Sequence, residues 1–209
     1  VVVEFRPRPQ TQMQVPAYLA RVDTATGAVD RAGAVTLDTV ARVQVTGKTE
    51  KGKTAVTIDV PFAPRPVWDV QADGSVLYGT GARFEVSRAR AGAAQVAFRG
   101  TGEPRAVSGA DRDKFFEEPS AQQFKGKITF PRTHPFFTGM RTDPHGTVWL
   151  RVPVERGERW EVRDAAGAVQ GTFTLPEGRR LVHASRGSVY VVSKDEDGVE
   201  ALHRYRVRR

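Results

Sequence analysis

A chain of 209 residues with 39% hydrophobic side chains is long enough to bury the core of one large all-β domain and too apolar to remain disordered. Its 32 basic and 24 acidic residues give a formal charge of +8, which favours polyanions or acidic protein surfaces as partners. With no cysteine it has neither a disulfide framework nor a thiolate metal site, and no apolar run approaches the ~18 residues of a membrane span.

Position 1 is Val rather than Met, which is compatible with a removed leader or a longer N-terminal part. A periplasmic or secreted location is expected, with the cytoplasm as the alternative. From Tyr18 to Leu37 the pattern predicts two strands around the turn Asp23-Thr24-Ala25-Thr26-Gly27. Short runs of Val, Phe, Tyr, Trp and Thr broken by Gly, Asp or Pro continue the strand pattern almost throughout.

Three segments share a turn-then-strand core: Gly74-Ser75-Val76-Leu77-Tyr78, Gly146-Thr147-Val148-Trp149-Leu150 and Gly187-Ser188-Val189-Tyr190-Val191. Each is followed by a second glycine and another strand, from Gly81, Gly157 and Gly198 respectively. Asp143-Pro144-His145-Gly146 has type I turn chemistry: Asp accepts from the backbone, Pro fixes φ at the second position and Gly takes the fourth. Asp164-Ala165-Ala166-Gly167 echoes the turn at Asp23.

The copies begin 72 and 41 residues apart, and the excess in the first interval is an insertion. Within it Ser108 to Pro119 predicts a short helix, because Ser108 and Asp111 have capping-box spacing and Pro119 supplies a stop. The chain closes on Ala201-Leu202-His203-Arg204-Tyr205-Arg206-Val207-Arg208-Arg209. Period two puts Leu202, Arg204, Arg206 and Arg208 on one face of a last strand, with the arginines toward solvent or an acidic neighbour. That strand is expected either at the outer edge of the last unit or paired with Val1 to Phe5.

Units of about 40 residues with roughly four short strands suit propeller blades, since one twisted sheet cannot bury both faces without neighbours. A β-sandwich is the plainer alternative. The expected fold is all-β: a β-propeller-like array of about four antiparallel blades with one short helical insertion. Residues 1–209 form one domain, with blade-like units about 14–62, 67–99, 136–176 and 179–209 and the insertion at 100–135.

Several stretches carry a family likeness: Val60-Pro61-Phe62-Ala63-Pro64-Arg65-Pro66-Val67-Trp68-Asp69-Val70, Phe136-Phe137-Thr138-Gly139 with the Asp143 turn and its strand, and Trp160-Glu161-Val162 through Leu175-Pro176. With the tail from Val189 to Tyr205, they resemble bacterial six-bladed β-propeller proteins related to NHL repeats. The resemblance implies a propeller fold, in a family mostly of unassigned role, and this sequence offers about three and a half to four blades where six would close a ring.

The chemistry expected is sparse. Asparagine is absent, and His134, His145, His183 and His203 show neither HxH nor HExxH spacing, so they read as structural and no metal is assigned. Asp195-Glu196-Asp197-Gly198 lacks the spaced ligands of a calcium loop and reads as an acidic turn. Nucleophile elbows and dinucleotide fingerprints are missing, and no cofactor or catalytic residue is assigned. Phe115-Phe116 and Phe136-Phe137 read as core packing, with an aromatic platform as the alternative.

The first functional expectation is therefore a non-catalytic interaction or scaffold module, an accessory subunit whose protein partner is the acidic surface of a larger membrane-associated complex. Its candidate surface is Arg105, Arg112, Lys114, Lys125 and Lys127 of the insertion with Arg204, Arg206 and Arg208 of the tail, because long decorated loops are where rigid scaffolds place recognition. The alternative is a propeller enzyme or small-ligand binder of lactonase or lyase type. Polyanion or nucleic-acid binding comes last, since charge alone supports it.

Overall fold

The computed structural model describes residues 2–5, 17–37, 41–49, 52–90, 93–185 and 187–207. Strands β1 (Val2–Phe5), β2 (Ala17–Val22) and β3 (Val29–Leu37) form one antiparallel sheet, and β4 (Arg42–Thr49) and β5 (Gly52–Asp59) form a hairpin. A four-stranded sheet follows from β6 (Val67–Val70), β7 (Val76–Gly79), β8 (Glu85–Arg90) and β9 (Ala93–Arg99). Helices α1 (Gly109–Phe115) and α2 (Pro119–Gln122) interrupt the strands. A second four-stranded sheet then takes β10 (Gly139–Thr142), β11 (Val148–Val152), β12 (Glu158–Arg163) and β13 (Val169–Leu175). The last sheet has β14 (Arg179–Ser185), β15 (Ser188–Lys194) and β16 (Glu200–Arg206).

Within each sheet every strand pairs antiparallel with its neighbour in sequence, so each sheet is a simple meander. The fold is an all-β, β-propeller-like array with one short helical insertion. Among the described residues the last strand lies at the edge of its sheet, paired with β15, and β1 pairs with β2 rather than with the tail. Arg204 and Arg206 are exposed, as the period-two reading of the tail requires, and Arg208 lies outside the described residues.

Turn chemistry sets this rhythm. Asp143 Oδ1 accepts from the amides of His145 (2.8 Å) and Thr147 (3.0 Å), while the Gly146 amide returns to the Asp143 carbonyl at 3.0 Å. The same device recurs at Asp164, whose Oδ1 accepts from Ala166 and Ala168, and at Asp195, whose Oδ1 accepts from Val199. The acidic Asp195 tetrapeptide is thus a strand connector. Gly146 closes its turn at φ +84°, in the left-handed region. Gly146→Ala should cost about 1 kcal/mol, because an added Cβ would meet only Ala165 Cβ at 3.8 Å and the penalty is backbone strain without collision. Urea unfolding would measure it, and a loss well above that value would mean that the turn also carries tertiary packing.

The sheets stack because their strands are apolar on both faces. In β11, Val148 and Leu150 join Leu77, Val86, Phe98, Phe137 and Met140 in one buried cluster. Trp149, on the opposite face, joins Trp160, Leu175, Leu181, Ala184, Val189 and Val191 in another. The central sheet is therefore held between its two neighbours, as a blade is. Arg163 reinforces one junction: its guanidinium lies 4.5 Å from the Phe84 ring centroid while donating to Gly167 O and Glu161 Oε2, each at 2.7 Å. Strand β10 also runs beside β6, where Asp69 Oδ2 accepts from the Thr142 amide at 2.6 Å and from its hydroxyl at 3.2 Å.

Candidate functional site

The insertion is closed at its base by backbone pairing. Ala106 bridges Thr133, the Val107 amide donates to Arg132 O at 2.9 Å, and the His134 amide donates to Arg105 O at 2.8 Å. This short ladder sets the side chains of Arg105 and His134 side by side although 29 residues separate them. Ser108 caps α1 with both halves of the capping box, so Asp111 is fixed in the first turn, where it receives Arg105 on both oxygens at 3.0 and 2.6 Å. The residues that build the cap thus also orient the guanidinium.

Arg105 Nη2 lies 2.6 Å from His134 Nε2. The same Nε2 lies 3.2 Å from Asp111 Oδ2; a guanidinium can only donate, so toward Arg105 Nε2 accepts and the ring is neutral, whereas toward Asp111 a protonated Nε2 would donate. Burial, with His134 only 7% exposed, holds its pKa below the ordinary value, and Arg105 adds to that effect while Asp111 opposes it. Burial alone would raise the Asp111 carboxyl, but hydrogen bonds from Arg105 and Ser108 outweigh it and hold the group far below the ordinary carboxylate range. Phe62 packs on the His134 ring with centroids 4.8 Å apart and keeps a left-handed φ of 60° to do so. Phe130 stacks on Phe62, and Phe115 meets both edge-on.

This wall faces a cleft of about 700 Å³ between the insertion and the last two sheets. Phe62, Phe115, Arg105, Asp111, Lys114 and His134 line one side, and Arg151, Glu155, Glu158, Glu177, Arg179 and Arg180 line the other. Two ion pairs brace it: Lys114 with Glu177 at 2.5 Å, spanning the two sides, and Arg151 with Glu158 at 2.9 Å. Thr138, Arg151 and Arg180 also line a second cleft of about 410 Å³, which runs along β6, β10 and the start of β14. Together the two make a trough with charges of both signs at one end and arginines at the other.

The residues expected at a basic surface are divided by the structure. Arg105 is half-buried and committed to Asp111 and His134, and Lys114 is the cleft's latch to Glu177. Arg112 lies 5.9 Å from the Phe130 ring centroid on the exposed side of α1. Lys125 and Lys127 are exposed beyond α2, while Arg204 and Arg206 are exposed on β16. Of these residues only Arg105 and Lys114 line the cleft. Phe137 is core, Phe115 lines the cleft, His203 pairs with Ser193 at 2.7 Å, and His183 packs against Tyr190. Among the described residues no three His, Asp or Glu side chains gather as a metal cage, and no helix is long and apolar enough to cross a membrane.

No protein-family model matches the chain, and no curated protein sequence does. Among solved structures it is similar to a catalytically inactive virginiamycin B lyase from Staphylococcus aureus with quinupristin, at 11% identity and a TM-score of 0.33, covering 100% of this chain and 75% of that one. It is similar to the calcium-binding protein regucalcin from Agrobacterium tumefaciens, at 13% identity and a TM-score of 0.36, covering 90% and 68% of the two chains. A streptogramin B lyase structure matches at 9% identity and a TM-score of 0.30, over 100% of this chain and 88% of that one. These neighbours are lyases and a calcium-binding protein, and against them the expectation of a non-catalytic scaffold does not stand. No residue role is carried over from them; the site stands on its own geometry.

Proposed function

We propose that this chain is a propeller enzyme or small-ligand binder of the lactonase or lyase kind, with its ligand in the trough. The observation that carries this reading is the 700 Å³ cleft, a volume suited to a small molecule, walled by aromatic rings and oriented hydrogen-bonding groups. The ligand-facing groups are preorganised: Asp111 fixes Arg105, both hold the His134 ring, and Glu158 and Thr138 fix Arg151. The likeness to six-bladed, NHL-related propellers belongs to the same proposal and is supported by the repeated turn-strand core, with residues 1–209 as one propeller-like unit.

A panel of small lactones, cyclic esters and their open hydroxy acids tests it, read by ligand-observed NMR for binding and by mass spectrometry for turnover. At least one compound should bind, and Phe115→Leu together with Lys114→Gln should weaken it about tenfold, as expected for one lost charged contact and one changed wall. Binding unchanged by both substitutions, or no binding at millimolar concentration across the panel, would remove the cleft as the ligand site. Conversion of the bound compound would select the enzyme form of the reading.

A further inference from the structure

We infer that the narrower end of the trough is an anion seat, so that the ligand carries a carboxylate or phosphate held by Arg141 and Arg180. This rests on the reading of the trough as a ligand site and adds the ligand's charge and orientation. Three arginines, Arg141, Arg151 and Arg180, line that cleft against a single carboxylate, Asp69. Asp69 is already engaged with the amide and hydroxyl of Thr142, and Arg151 is engaged with Glu158 and Thr138.

Arg141 and Arg180 remain. On β10 the alternation buries Met140 and Thr142 and leaves Gly139 and Arg141 half-buried, and Arg141 lines the cleft. Arg141 is half-buried, and its guanidinium donates only to the Met140 carbonyl, at 2.8 Å, with no carboxylate paired to it among the described residues. Arg180 comes from β14, which lies beside β10, and its nearest carboxylate oxygen, on Glu200, is 4.0 Å away. A half-buried guanidinium without a counter-charge is costly unless an anion supplies one. Arg141 is such a cation, and the exposed Arg180, held to Glu200 only at the 4.0 Å limit of an ion pair, borders the same cleft, with Pro66 and Val67 on its apolar wall. A planar guanidinium recognises a carboxylate or phosphate through two parallel N–H donors, and the apolar wall of Pro66 and Val67 suits a ring attached to that group.

The probes are phenyl phosphate, phenylacetate, uncharged phenylacetamide and inorganic phosphate, titrated by calorimetry at low and moderate salt. One or both ring-bearing anions should bind, the amide should bind at least tenfold more weakly, and added salt should weaken the anions selectively. Arg141→Gln and Arg180→Gln should each loosen the bound anion about tenfold, and Arg141→Lys should recover part of the loss. Arg83→Gln, at an arginine that lines neither cleft, should leave it unchanged. Inorganic phosphate binding as tightly as phenyl phosphate would assign the seat to a free anion and remove the ring from the inference. Equal binding of amide and anion overturns the anion seat but leaves the trough as a ligand site. Anion binding that survives both glutamine variants overturns it at these residues, and failure of every probe and of the lactone panel overturns both readings.

Discussion

Replacing Phe137 by alanine is expected to lower the unfolding free energy by about 4 kcal/mol, and replacing it by leucine by only about 1. The ring is 0% exposed and belongs to the cluster that joins the two four-stranded sheets. The chain around it is fitted to that position: Gly79 lies so close to the ring that a Cβ there would collide with it, and the Phe136 amide donates to Gly81 O at 2.8 Å. Alanine would leave a cavity whose walls are strands pinned by ladder hydrogen bonds and unable to collapse inward, whereas leucine fills most of it. Urea unfolding of the three proteins measures the difference. Since Phe137 joins two sheets, the alanine variant should also show a lower m-value if they begin to unfold separately. A loss below 2 kcal/mol with unchanged m would show that the sheets are joined elsewhere.

Strand order and turn positions were legible because they depend on local chemistry. An Asp three residues before a Gly makes the same turn at 143, 164 and 195 wherever the rest of the chain goes. The Ser108 and Asp111 capping box was legible for the same reason. The site was legible only in part. Arg105 and Lys114 stood out as charges on an insertion, but sequence spacing could not show that the base ladder sets Arg105 against His134 or that Lys114 reaches Glu177 across 63 residues. His134 read as a structural histidine because no partner lies near it in sequence; its partners come from the facing segment of the ladder. Arg141 and Arg180 carried no signal at all, since an arginine on an alternating strand ordinarily points into water, and only the convergence of β6, β10 and β14 turns these two into one cleft. The scaffold expectation came from this same blindness: chemistry that arises between strands far apart in sequence leaves no motif.

Asp111 offers the second large effect and a means of separating its roles through pH. Asp111→Asn should cost about 3 kcal/mol at neutral pH, because it weakens the helix cap and leaves the Arg105 guanidinium half-buried without its carboxylate. The wild-type carboxyl has a folded pKa below its ordinary 3.8, so its stabilisation is complete above that value and is lost as pH falls below it. His134 also has a folded pKa below its ordinary value, here 6.5, so the unfolded chain takes up its proton first and stability declines as pH falls below 6.5. The wild type should therefore weaken in two stages, one beginning near 6.5 and one near 3.8. Asp111→Asn should make the lower stage shallower and keep the upper one, while His134→Gln should remove the upper stage and keep the lower. Urea midpoints measured from pH 8 to pH 3 decide the matter: an upper stage that survives in His134→Gln would place the titrating histidine elsewhere and release His134 from the neutral, arginine-bound state the cleft requires.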